Sequence, residues 1–316
     1  MVAGMSAEIT AKDLFLGACQ KNEVDLVRSL ISHGADVTWK NDDESGWSGL
    51  HVAAARNYEQ LVDFLLGVTG VDVNVTSTKY LTPLMVACTN GHGNIVKKLC
   101  QAPGIELNCL SYLGRTGLHM AVHKNHPDCV EELRRAGADR IDWNVRSNDG
   151  WYPLTLALWR GHAEVLEVIL TVPHPQLDLS VTDREGRTLA QMAVESNARD
   201  SLRCLEILLE DSRVNWNTRN KDRETPLMYC RRNNKTAMVK TLKRKERFER
   251  KQFIMKRRSE LRARYDEDIK MLDEAEEELK EEEMEDEDEK CQEGPYVEEV
   301  KRELGIKQEC GGSSPG

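Results

Sequence analysis

The chain repeats itself, and a repeat constrains a fold more than composition does, because a recurring unit has to pack against its own copies. The fragments SGLHVAA from Ser48, TPLMVAC from Thr82, TGLHMAV from Thr116, YPLTLAL from Tyr152, TLAQMAV from Thr188 and TPLMYCR from Thr225 align. Their starts lie 34, 34, 36, 36 and 37 residues apart. Each is followed by a polar turn: Asn57, Gly91-His92, Asn125-His126, Gly161-His162, Asn197 and Asn233-Asn234. A second apolar stretch comes next, such as VLEVIL from Val165. Apolar residues at i, i+3 and i+4 predict that both stretches are short one-faced helices, neither able to bury its face alone.

An extended triplet closes each unit: Asp72-Val73-Asn74, Glu106-Leu107-Asn108, Asp142-Trp143-Asn144, Asp178-Leu179-Ser180 and Asn215-Trp216-Asn217. Gly46, Gly114, Gly150 and Gly186 stand two residues before the next fragment, where a positive φ suits a hairpin-like loop.

Period, fragment, turn and triplet together resemble the ankyrin repeat, whose signature is T-P-L-H-x-A at a period of about 33. The resemblance implies an all-α repeat fold, an ankyrin solenoid of about seven stacked helix pairs with hairpin-like loops over residues 11–242. Residues 13–37 form an N-terminal capping unit without the tetrapeptide, and Leu50, Leu84, Leu118 and Leu154 are expected between repeats. Residues 1–10 are expected to be flexible. The tetrapeptide His is present only at His51 and His119. Met85, Thr155, Gln191 and Met228 replace it elsewhere, so the bond that the family's imidazole makes to a neighbouring loop should be missing there. Insertions at 171–176 and 198–200 predict local irregularity.

Beyond Leu242 the period ends. Residues 243–283 lack Gly and Pro and are expected to form one long charged helix or a weak coiled coil. Pairs such as Glu246 with Arg250 are each worth only about 0.2–0.5 kcal/mol. A seam starting at Ile254 is broken by Arg258 and Asp268. Residues 284–316 are too polar to offset the entropy of ordering and read as a disordered acidic tail. The net charge of −10 is unevenly distributed. Residues 240–264 carry +9 and residues 266–290 carry −13, which leaves the rest at −6. No whole-protein field therefore calls for nucleic acid or a membrane.

No phosphate loop, dinucleotide fingerprint, zinc-hydrolase helix or serine elbow occurs, so no enzyme and no cofactor are expected. His119, His123, His126 and Cys129 have the residue types of a zinc site, but all except His123 already have a place in the repeat. The nine cysteines include no C-x-x-C pair, and most sit at apolar helix positions, as reduced thiols do. With no leader-like N-terminus and no long apolar run, the expected setting is intracellular, cytoplasmic or nuclear.

Lys243 and Arg244, then a ten-residue spacer, then Lys256, Arg257 and Arg258 within the next cluster fit a bipartite import signal read by importin, and equally a solvated helix face. Lys301 and Lys307 sit in acceptor-like tetrapeptides for the small ubiquitin-like modifier. Asn74 lies in a stretch resembling ankyrin substrates of an asparaginyl hydroxylase, against which stands a plain hairpin asparagine.

The expected partner is a client protein. In the ankyrin family the variable contact positions lie four, three and one residues before the fragment's first residue, and seven and eight after it. Here they include Trp47, Leu81, Tyr112, Leu113, Arg115, His123, Trp151, Trp159 and Arg160. Trp, Tyr and Arg dominate interface hot spots. Trp143 and Trp216, in the triplets, are expected to pack inward.

Overall fold

A computed structural model describes residues 10–43, 45–173, 175–262, 274, 276, 277 and 280. The expected tail with Lys301 and Lys307, residues 1–9 and the remainder of the 243–283 segment lie outside them. The chain divides into two compact units, Met1–Val239 and Lys240–Gly316.

The first unit is a stack of helix pairs. In chain order the pairs are α1 Ala11–Lys21 with α2 Val24–Ser32, α3 Gly49–Ala55 with α4 Glu59–Leu66, α5 Pro83–Asn90 with α6 Gly93–Gln101, and α7 Gly117–His123 with α8 Pro127–Arg135. Then come α9 Pro153–Arg160 with α10 Ala163–Leu170, α11 Leu189–Glu195 with α12 Ser201–Glu210, and α13 Pro226–Arg232 followed by α14 Thr236–Arg262. First helices pack on first helices from α1 through α13, and second helices on second helices from α2 through α12. Seven repeats result, numbered here by pair.

The fragments cap what they start. Thr82, Thr116 and Thr225 each stand at the N-cap and accept from the backbone N–H three residues on, at 3.3, 3.4 and 3.4 Å. Pro83, Pro153 and Pro226 occupy the first turn, where a missing N–H costs nothing. Between paired helices Asn22, Asn57, Gly91, Asn125, Gly161 and Asn234 adopt positive φ and turn the chain. Leu50, Leu84, Leu118 and Leu154 are buried, as are Cys19, Cys88, Cys129, Cys204 and Cys230. Trp143 is buried and donates its indole N–H to the Ala138 carbonyl at 2.9 Å. Trp216 departs from expectation: it is half-buried, and its indole nitrogen has no partner.

The linking loops are hairpins without strands among the described residues. Ser77, Ser111 and Ser147 each donate a backbone N–H to the carbonyl four residues on, at 2.9 Å in every case. Consecutive hairpins are bonded too: Thr78 to the Ser45 carbonyl at 3.1 Å, Tyr112 to Lys79 at 3.2 Å, and Asn148 to Leu113 at 2.9 Å. That proximity explains Gly114. At φ 67° a Cβ there would meet the Asn148 side-chain oxygen at 2.5 Å.

In the second unit α14 continues as a charged helix, 27 residues long counted from Thr236. Arg258 donates to Glu276 at 2.8 Å.

Candidate functional site

The site is built from hairpin tips and the C-terminal ends of first helices, so its first requirement is that the loops be held. Two imidazoles do this. The Ser48 backbone N–H donates to His51 Nδ1 at 3.2 Å, which leaves the proton on Nε2, and Nε2 donates to the Leu81 carbonyl at 2.8 Å. His119 repeats the arrangement between Thr116 at 3.3 Å and the Trp151 carbonyl at 3.1 Å. Burial drives both imidazoles down to about 4, despite the carbonyls they bond. Both are therefore neutral at pH 7. Gln191 replaces this histidine in repeat 6. Its oxygen accepts from Thr188, but its buried amide nitrogen has no partner.

The predicted positions fall into two groups. Tyr112 is 55% exposed and Trp159 36%. Trp47, Leu81, Leu113 and Trp151 are half-buried, not open as expected. The reason is local packing. Trp47 stacks on the His51 ring at 6.2 Å, and Trp151 lies 6.0 Å from Trp159. The Arg187 guanidinium covers the Trp159 ring at 4.7 Å.

Arg115 is half-buried and paired with Asp149. Burial alone would raise the Asp149 carboxyl, but hydrogen bonds from Ser147 and Arg115 outweigh it and hold the group below its ordinary value. Arg160 is exposed and donates to His123 Nε2 at 2.9 Å. Burial lowers the His123 pKa, and the charges of Arg160, Arg115 and Lys124 lower it further.

The tempting histidine cluster does not converge. His119 bonds Trp151, His126 bonds the Thr89 carbonyl at 3.2 Å, and His123 faces Arg160. No group of three metal-type ligands exists among the described residues. Burial pushes the Cys129 thiol up to about 12, far from thiolate reactivity. In the basic segment Arg244, Lys256 and Arg257 are exposed, whereas Lys243 and Arg258 are half-buried.

Sequence reasoning missed two features. Tyr80 is 61% exposed and sits at φ 55°, in the hairpin position that other repeats give to Gly. The triplet asparagines are staples. Asn74 donates to the Gly104 carbonyl at 2.8 Å and accepts from the Glu106 N–H at 2.9 Å. Asn108 bonds Arg140 and Asp142 in the same way, and Asn144 bonds Gln176 and Asp178. Their recurrence at one place in the triplet was the available signal.

Stacked helix pairs, bonded hairpins and an aromatic and cationic face define a helical-repeat solenoid. The family described as ankyrin repeats (3 copies) matches residues 14–111, 50–142, 84–183 and 118–219. The chain belongs to the ankyrin repeat family, whose members mediate protein–protein interaction. It is 25% identical over 183 residues to the ankyrin repeat protein YahD of Escherichia coli, covering 57% of this chain and 88% of that one. It is 29% identical over 198 residues to human Rabankyrin-5, covering 62% of this chain and 16% of that protein. It is 30% identical over 180 residues to the mouse B-cell lymphoma 3 protein homolog, covering 55% and 38% respectively. Among the described residues no helix is long and apolar enough to cross a membrane.

Proposed function

We propose that the protein is a non-enzymatic scaffold or adaptor that binds a client protein on the concave face of its ankyrin repeats. The observation that carries this reading is the cluster of Trp151, Trp159 and Arg187. Two indole rings meet there under a guanidinium, with Trp159 still partly open to solvent. Such anchors supply large rigid contact area, and a curved solenoid presents them along one surface. Tyr112 and Arg160 extend the face along the stack. The test is affinity capture with the paired substitution Trp151→Ala and Trp159→Ala. Client recovery should fall at least about tenfold, the loss expected of hot-spot residues, with the melting temperature changing by a few degrees. Undiminished capture with a sharp drop in melting temperature would make the tryptophans structural.

A second reading is a nuclear co-regulator imported through residues 243–258. The exposure of Arg244, Lys256 and Arg257 on α14 favours it. Imaging of a tagged protein with Lys256, Arg257 and Arg258 changed to Ala separates the two. Loss of nuclear signal supports the second reading, and an unchanged distribution supports the first.

A further inference from the structure

On the second helices several acids and bases pair, Arg28 and Lys97 apart: Arg134 and Arg135 take Glu131 and Glu132 at 2.7–2.9 Å, Lys98 takes Asp63 at 2.8 Å, and Arg203 takes Glu167 at 3.2 Å. On the first-helix and hairpin side of repeats 3–5 the bookkeeping does not close. Asp149 is held by Arg115 and Ser147, and the buried Asp183 by Arg187, so these carboxylates are occupied. Lys79, Lys124 and Arg160 are exposed, and none has a carboxylate within ion-pair distance among the described residues. The depressed pKa of His123, set by burial and then by Arg160, Arg115 and Lys124, is consistent with a positive local potential.

The same side carries the open rings. Tyr80 and Tyr112 are both more than half exposed, on hairpins joined by the bond from Tyr112 to Lys79. The Tyr112 carbonyl accepts from the Asn148 side chain at 3.1 Å, and the Asn148 carbonyl accepts from Arg184. The tips of repeats 3–6 are thus one bonded row, with Trp151 and Trp159 behind it. Tyr80 holds a left-handed conformation that glycine would adopt without strain, so its ring is kept in the open at a conformational cost.

Unanswered cations between exposed aromatic rings call for an occupant that brings both carboxylates and apolar side chains. We infer that the client segment bound by this face is an acidic linear peptide of another protein, carrying apolar side chains among its Asp and Glu residues and lying along repeats 3–5. This rests on the proposed function and narrows it. Nucleic acid is the other occupant that such cations could take, and the experiment separates the two. In the chain's own acidic stretch, 266–290, Glu276 accepts from Arg258, and the stretch is the competitor that the experiment separates from a peptide of another protein.

The experiment is selection of displayed random dodecapeptides on the full-length protein, with the recovered peptides then measured by fluorescence anisotropy. Recovery of sequences rich in Asp and Glu with apolar residues between them is expected. Their affinity should fall about tenfold in Arg160→Glu and again in Lys124→Glu, both exposed positions, with the melting temperature unchanged, and should weaken as salt rises. Recovery of neutral or basic peptides whose binding still needs Trp159 would overturn this inference and leave the proposed function standing. Recovery of no peptide would overturn both. Acidic peptides binding only after Glu281, Glu282, Glu283 and the acids of 285–289 are changed to their amides would show that the chain's own tail occupies the face, which also overturns it. So would a labelled single-stranded oligonucleotide that binds with the same dependence on Arg160.

Discussion

Repeats 2–5 and repeats 6–7 share one helix-pair plan but are joined differently. In the earlier group hairpin is bonded to hairpin through the backbone, the imidazoles of His51 and His119 each reach the next loop, and Asn74, Asn108 and Asn144 tie triplet to triplet. In the later group Ser180 stands where the asparagine was and turns its hydroxyl onto Asp178 at 2.7 Å. Gln191 leaves a buried amide nitrogen unpaired, as does the Trp216 indole. Side chains substitute: Arg213 reaches back to the Leu170 and Val172 carbonyls, and Lys235 to those of Val194 and Ser196. Apolar burial is enough to stack helix pairs. The polar bonds between repeats decide how firmly each interface is closed, and the aromatic and cationic face spans the region where those bonds are most complete.

Acid should separate the two regions most. Burial lowers the folded pKa of His51 and His119 from the ordinary 6.5 to about 4. Above pH 6.5 both imidazoles are neutral in either state and contribute no pH dependence. Between 6.5 and 4 the unfolded chain takes up protons that the native one refuses, so stability falls with pH by roughly 1.4 kcal/mol per unit for each histidine. Below 4 this contribution levels off. By pH 5 the two together cost on the order of 4 kcal/mol. Native-state hydrogen exchange should show α3 and α7 opening more readily at pH 5 than at pH 7, with α11 and α13, which carry Gln191 and Met228, less affected. His119→Gln should remove about half of the slope. Equal acid sensitivity in all four helices would break the comparison.

A core truncation comes next. Leu118 is 2% exposed, whereas Leu227, its counterpart in repeat 7, is only half-buried. Leu118→Ala should cost about 2–5 kcal/mol, and Leu227→Ala about half as much or less, since less surface and a smaller cavity are involved. Urea unfolding measures both, and equal losses would show that repeat 7 is as tightly packed as repeat 4.

How far these differences could be read in advance depends on whether the partner lies in the same unit. The period, the positive-φ turns and the leucine rows follow from spacing within one repeat, and all are legible. The absent imidazole in repeat 6 was legible too, because Gln191 stands in the aligned place. What was not legible is what each side chain meets one repeat away. The indole of Trp47 turns onto His51, Arg115 is taken by Asp149 at the aligned tip of the next hairpin, and Arg187 crosses from repeat 6 to cover Trp159. Periodicity places such residues on a face but does not say which of two aligned neighbours a long side chain will choose. The triplet asparagines were visible as parts of an extended triplet, Asn74 as a plain hairpin asparagine, but one repeat alone offers them no partner.

The finest test concerns those staples. Asn144 donates to the Gln176 carbonyl at 2.8 Å and accepts from the Asp178 N–H at 2.9 Å. Asn144→Ala removes both bonds and should cost about 1–2 kcal/mol, the sum of two modest hydrogen bonds. Asn217 is exposed, and among the described residues its side chain makes no bond to another repeat, so Asn217→Ala should be nearly silent. The converse change is Ser180→Asn. By the register of the other three staples its amide would face the Arg213 carbonyl and the Asn215 N–H, and closing that gap should add about 0.5–1 kcal/mol. The gain should be confined to the junction of repeats 5 and 6, read as slower hydrogen exchange in α11 and α12 with α3 through α8 unchanged. A loss of stability instead would mean that Arg213, by reaching back to Leu170 and Val172, has already fixed a different spacing at this junction. The later repeats would then be joined by a second design and not by a weakened form of the first.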